Sequence, residues 1–320
     1  LVNGQSIATD DARGIKPVTG DIPRRTNFDR PVPLTRGKNR IQVRVTDTDG
    51  LITEKTFSVY YAPSRRNVWA VVVGINDYPR LPKLKYAVND ARAFRRLLVE
   101  KNLVPAENIT MLLNEKATLR NLRSALGTGL NGAAGSDDMV IIFYAGHGAT
   151  ERDAMSMDGD GLEKYILPYD TNPSDLFSTA LPMRDLALIF HRIRSERLIF
   201  IADACYSGAS GGRTVSVTGL RANIADTFLD RIAAGRGKVI ITASAANEVS
   251  VERDELQHGV FTYYLLEGLK GPADTDGDGL VTVDEVYRYV SDRVPQATRQ
   301  EQHPVKKGTV EGSLILSISR

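Results

Sequence analysis

From Val68 onward, short apolar runs alternate with longer stretches whose apolar residues recur every three or four positions. The runs are VWAVVVGI (68–75), ITMLL (109–113), MVIIFYAG (139–146), RLIFIADA (197–204), KVIITASA (238–245) and SLILSIS (313–319). Each is rich in β-branched residues and almost continuously hydrophobic, the pattern of strands covered on both faces. Between them, AVNDARAFRRLLVEK, TLRNLRSALGTGL, MRDLALIFHRIRS, IADTFLDRIAA and VFTYYLLEGLK place their apolar residues on one helical face. The alternation predicts an α/β fold, with a mostly parallel sheet and helices on both sides. Ligands of such sheets bind beyond the carboxyl ends of the strands.

The first sixty residues follow another pattern. Residues 1–22 are polar and turn-rich and read as a loose arm. In NRIQVRVTDTDGLITEKTFSVYYA (39–62), IQVRV alternates apolar and polar, DTDG turns, and TFSVYY continues the strand composition. This predicts a hairpin with one buried face. Together with FDRPVPLTRGKN it resembles the last strands of a small β-sandwich of bacterial immunoglobulin-like type. APSRRN (62–67) is the expected junction, giving an N-terminal segment over 1–64 and a main domain over 65–320.

Composition narrows the partners. A net charge of +2 over 320 residues gives no strong attraction to nucleic acid or to a membrane surface. No apolar run is long enough to span a bilayer. The N-terminal LVNGQSIATD lacks a charged-then-apolar leader pattern and does not begin with Met. It reads as the start of a fragment, in which a removed leader would leave no trace. Compartment stays open between cytoplasmic and exported, and the β segment fits an exported bacterial protein.

The single cysteine excludes an internal disulfide and raises the question of its use. RLIFIADA delivers Cys205 to the carboxyl end of one strand, and MVIIFYAG does the same for His147 in YAGHG. A cysteine at a strand end is by itself most often a small buried hydrophobe. Beside an imidazole it becomes a nucleophile: the ring takes the thiol proton and later protonates a leaving amine. The backbone N–H groups of Gly148 and Cys205 are candidate donors to the oxyanion.

YAGHG and DACYSG, in that order, resemble the His and Cys motifs of the caspase–metacaspase superfamily. VVVGINDY with LKYAVNDARAF resembles its first strand and helix, and GVFTYYLLEGLKG the start of its smaller subunit region. The resemblance covers about 68–320. It implies a six-stranded caspase-like sheet, cysteine endopeptidase activity, and a large-subunit part over 65–210, a linker over 211–236 and a small-subunit part over 237–320. It carries His147 and Cys205 over as the dyad. Where animal caspases have Gln-Ala-Cys, this chain has Asp203-Ala204-Cys205. In metacaspases a matching Asp and an acid in the early ND motif, here Asp90, line the pocket for the residue before the scissile bond (P1). The resemblance thus implies cleavage after Arg, and after Lys less well, since a guanidinium bonds two carboxylates in bidentate fashion. Metacaspases often carry Ser two residues before the catalytic His; here Ala145 stands there.

Many members of the superfamily are zymogens that cut themselves in the linker, where Arg213 and Arg221 are the candidates. Glu248 and Glu252 are weaker candidates for contacts with further basic side chains of a substrate. DTDGDGLVTVDE (274–285) fits the twelve-residue calcium-loop pattern, with Asp274, Asp276, Asp278 and Glu285 as ligands and Gly279 at the sharp turn. Such acidic turns also serve as plain connectors. Expected partners are protein or peptide substrates with Arg or Lys at P1, with calcium as a possible ligand not needed for the chemistry; oligomeric state is open. Two alternatives stay open too: a catalytically silent caspase-like scaffold, and a peptidase with a non-basic P1 preference.

Overall fold

Five of the six apolar runs become neighbouring strands of one sheet. The computed structural model describes residues 32, 34, 37–46, 49–61, 67–157, 159–204, 214–216, 227–234, 237–245, 248–309 and 313–318. The chain forms two compact units, residues 1–65 and 66–320.

In the first unit, β1 (Gly37–Thr46) pairs antiparallel with β2 (Ile52–Tyr61), Gly37 opposite Tyr61. The hairpin predicted from IQVRV is present, but its buried face is not. Val45, Leu51, Ile52 and Phe57 are exposed, and Ile41 and Val43 are only half-buried. Among the described residues this unit has one two-stranded sheet, which offers no second layer to bury against.

The second unit runs β3 (Val68–Gly74), α1 (Ala87–Glu100), β4 (Ile109–Leu113), then α2 (Leu119–Arg123) and α3 (Leu130–Ala133) joined by a wider helical turn over 124–129. There follow β5 (Met139–Ala145), β6 (Gly148–Arg152), β7 (Leu162–Ile166), α4 (Leu176–Thr179), β8 (Leu181–Pro182), α5 (Met183–Arg192) and β9 (Leu198–Asp203). After β10 (Thr214–Ser216) and α6 (Thr227–Ile232) come β11 (Lys238–Thr242), β12 (Glu252–Arg253), β13 (His258–Gly259) and α7 (Val260–Leu269). The chain closes with β14 (Leu280–Thr282), α8 (Val283–Ala297), β15 (Val305–Lys307) and β16 (Ile315–Ile318).

The main sheet has six strands in the order β15-β11-β9-β5-β3-β4. All pairings are parallel except that of β15 with β11. The six-stranded α/β sheet is therefore as expected, with one correction. Its sixth strand is Val305–Lys307, while the apolar run at 313–319 supplies β16, which pairs with β14 in a small sheet of its own. Helices cover both faces. Phe94 of α1 stacks on Phe143 at 4.6 Å, and Phe190 of α5 meets Phe200 edge-on at 5.4 Å. Phe200 is in register with Ile142, so Phe143 and Phe200 point to opposite faces. Gly74 ends β3 where α1 crosses it: a Cβ there would stand 2.6 Å from both the Ala87 carbonyl and the Ala91 Cβ, so α1 packs this close only against a glycine. No helix among the described residues is long and apolar enough to cross a membrane.

Candidate active site

Ala145 and Asp203 are register partners at the carboxyl ends of β5 and β9. His147 follows Ala145 by two residues, and Cys205 follows Asp203 by two. The two strands that lead into these motifs thus end side by side at one edge of the sheet. Cys205 itself lies outside the described residues, as do Arg213 and Arg221.

His147 is 1% exposed. Its Nε2 lies 2.8 Å from the Pro82 carbonyl oxygen. A carbonyl only accepts, so Nε2 carries a proton, and in the neutral ring Nδ1 holds the lone pair. Pro82 belongs to the loop between β3 and α1, and two asparagines pin that loop. The Asn76 side chain accepts from Val88 N at 2.9 Å and donates to the Lys85 carbonyl at 2.9 Å. The Asn114 side chain accepts from Asn76 N and Asp77 N. The sequence reading missed Pro82 because a backbone carbonyl has no residue-type signature; the polar GINDY following an apolar strand was the one available hint.

Two phenols hold the backbone of the histidine. Tyr78 Oη accepts from His147 N at 3.0 Å, and Tyr144 Oη lies 2.8 Å from the His147 carbonyl oxygen. The Tyr78 ring also packs on the imidazole, centroids 4.8 Å apart. A Cβ on Gly146 would fall 2.6 Å from Tyr144 Oη and 2.7 Å from Tyr78 Oη. Gly146→Ala is therefore expected to destabilise by about 1–3 kcal/mol, since packed side chains must shift. Urea unfolding of the variant beside wild type checks it. Gly148 opens β6, buried, opposite Ile166 of β7 and Thr214 of β10.

Asp90 and Asp203 are both fully buried and converge on the start of α7. Asp90 Oδ1 lies 2.6 Å from His258 Nδ1, and Asp90 Oδ2 accepts from Gly259 N at 3.2 Å. Asp203 accepts from the hydroxyls of Ser250 at 2.6 Å and Thr262 at 2.5 Å. Gly259 and Thr262 are one turn apart, and negative charge beside a helix N-terminus is favourable. Both acids thus tie the start of α7 to α1 and β9. The sequence reading missed His258, Ser250 and Thr262, whose partners lie far away in the chain.

Glu248 and Glu252 both have protein partners. Glu248 bonds His303 through N (2.6 Å) and Nδ1 (2.7 Å), and Glu252 accepts from the amides of Lys85 and Tyr86. In the acidic turn, ligand oxygens of Asp274, Asp276 and Asp278 lie within 4.8 Å of one another. Glu285 does not join them. Its Oε1 accepts from Thr275 N and Oγ1, and its Oε2 accepts from Thr282 N and Oγ1, closing a capping box on α8. Burial alone would raise the Glu285 pKa, but the bonds from Thr282 and Thr275 outweigh it and hold it below the ordinary 4.5. A depressed folded-state pKa stabilises the fold above the unfolded-state value, and that contribution disappears as pH falls through the folded-state one. Glu285→Gln is accordingly expected to lower Tm at pH 7 and to lose its difference from wild type in acid, as a pH series of melting curves would show.

A family model described as the caspase domain matches residues 67–314. The chain is similar to Metacaspase-4 of Arabidopsis thaliana, 33% identical over 145 residues, which are 43% of this chain and 33% of that protein. It is similar to Metacaspase-1 of Plasmodium falciparum, 30% identical over 165 residues, 48% of this chain and 26% of that one. The matched stretch thus spans about a third or less of the length of these two relatives. Among solved structures, a Geobacter sulfurreducens protein matches with TM-score 0.56 and 20% identity, over 77% of this chain and 94% of that one. Caspase-1 of Spodoptera frugiperda matches with TM-score 0.52 and 11% identity, over 80% and 92%. These last two likenesses are of fold.

Proposed function

Since the chain belongs to the caspase-domain family, we propose that it is a cysteine endopeptidase cutting proteins after Arg, and after Lys less well, with Cys205 as nucleophile and His147 as base and acid. The observation carrying this reading is the Nε2 anchor of His147 on Pro82, at the strand ends that lead to the two motifs. In this reading it leaves Nδ1 of the neutral ring as the base for the Cys205 thiol. The Cys205 thiol gives its proton to Nδ1, and the sulfur attacks the scissile carbonyl carbon. The resulting oxyanion takes hydrogen bonds from backbone N–H groups, for which Gly148 and Cys205 are the candidates. Collapse breaks the C–N bond; the leaving amine takes the proton from His147, and water hydrolyses the thioester with His147 again as base.

The basic P1 preference is supported by Asp203 and Asp90, two buried carboxylates at the start of α7. A specific observation favours the competing reading that they only anchor α7: each already has protein partners. A fluorogenic P1 library separates the two. Preference for Arg over neutral side chains is expected, and equal cleavage after norleucine would remove basic specificity.

Self-processing after Arg213 rather than Arg221 belongs to the same reading. Its support is β10, which starts one residue after Arg213 and pairs in parallel with β6, Thr214 in register with Gly148. That register brings the linker backbone next to the residue after His147. A mass-spectrometric map of the incubated protein is expected to show a new N-terminus at Thr214, absent in Cys205→Ala. Calcium enters the reading as a ligand of the acidic turn, supported by the three converging carboxylates. Calorimetry on wild type and Asp276→Ala tests it; no heat in the wild type removes calcium.

A further inference from the structure

His258 and Asp90 make a half-hidden pair that the dyad chemistry does not use. The Asp90 carboxylate is fully buried, whereas the His258 side chain keeps 22% exposure. A carboxylate can only accept, so His258 Nδ1 donates to Asp90 in either protonation state of the ring. The second proton goes to Nε2. It changes the charge of the pair without changing the bond that joins it.

Other charged and titratable groups around His258 face different partners. Arg253 is its register partner in the β12–β13 pair, but the Arg253 guanidinium donates to the Ala297 carbonyl at 2.7 Å. Glu252 caps the amides of Lys85 and Tyr86. Asp254 takes the Lys85 ammonium and the Tyr86 hydroxyl. From α7, Tyr263 approaches ring to ring at 6.4 Å. From α1, the facing group is Asp90 itself.

We propose that His258 is a positioning residue that makes recognition of a basic P1 side chain proton-dependent by setting the net charge of its pair with Asp90. With a neutral imidazole the pair is an anion and attracts a guanidinium. With an imidazolium it is an internal ion pair, and the substrate's cation meets a neutralised carboxylate and a like charge. The enzyme then loses its preference for Arg in acid while its chemistry on a neutral P1 residue follows the dyad alone. This rests on Asp90 being part of the basic pocket.

The test compares two peptides that differ only in P1, Arg or its uncharged isostere citrulline. The ratio of their kcat/KM values cancels the titration of the dyad. In wild type the Arg:citrulline ratio is expected to fall about fivefold between pH 8 and 5.5, where histidines titrate. In His258→Asn, whose amide can still donate to Asp90, the ratio is expected to stay within about twofold. An equal fall in His258→Asn overturns the proposal, because a merely structural histidine would leave the slope unchanged. A ratio near one in wild type at pH 8, or a wild-type ratio retained in Asp90→Asn, overturns the pocket reading beneath it. If His258→Asn does not fold, the imidazole can be titrated by NMR in the wild type with a peptidyl arginal or its citrulline counterpart bound. Linkage requires the arginal alone to move that titration to lower pH, and identical curves overturn the proposal.

Discussion

His147→Gln is expected to lower kcat for an Arg peptide by about 10³–10⁴-fold with little change in KM, and Cys205→Ala to do the same. The two changes together should cost no more than either alone, because a dyad acts as a unit. Stopped assays on the single and double variants, with a melting curve for each, would show it. Substitution at Pro82 behaves differently. What orients the imidazole is the carbonyl at 2.8 Å, and every residue type supplies a carbonyl. Pro82→Ala therefore keeps the Nε2 partner and is expected to stay within about tenfold of wild type. A loss as large as that of His147→Gln in a folded Pro82→Ala would mean the ring side, not the carbonyl, holds the histidine. Full activity in folded Cys205→Ala would remove Cys205 as the nucleophile, and an inactive, folded wild type would favour the silent scaffold.

What could be seen in advance follows from how burial writes itself into sequence. β5 and β9 are buried at every position, so MVIIFYA and the LIFIA before Asp203 stand out as unbroken apolar runs. β15, with every residue half-buried, carries two lysines whose ammonium groups bond Asp284 and Asp230. A sheet-edge strand of three residues with charged tips has no hydrophobic signature, and the apolar run a few residues later, β16, was the natural but incorrect choice. The hairpin near the N-terminus failed in the opposite sense: alternation promised a buried face, and alternation cannot supply the layer that would cover it. At the site, Asp203 and His147 were legible because each follows an apolar strand directly. His258 and Thr262 were not, since their roles exist only once α7 is docked against α1 and β9.

Asp203 separates anchoring from recognition. Asp203→Ala would leave the hydroxyls of Ser250 and Thr262 buried without their acceptor, and such groups cost about 1–3 kcal/mol each. A loss of about 3–5 kcal/mol is expected, enough to unfold a marginal domain, with α7 released first. Asp203→Asn has another outcome. Its carboxamide keeps one acceptor for one hydroxyl, and the other hydroxyl can reverse and accept from the amide N–H, so the loss should stay near ~1 kcal/mol. The charge, however, is gone. If Asp203 only ties α7 down, Asp203→Asn cleaves Arg and citrulline peptides in the wild-type ratio. If it binds the P1 guanidinium, kcat/KM for Arg falls by about 10²-fold or more while citrulline is spared, as expected when a buried charged partner is lost. Denaturant unfolding of both variants beside the two-peptide assay decides between a strut and a specificity element. The second result is expected, because Asp90 and Asp203 put two buried carboxylates at the start of α7.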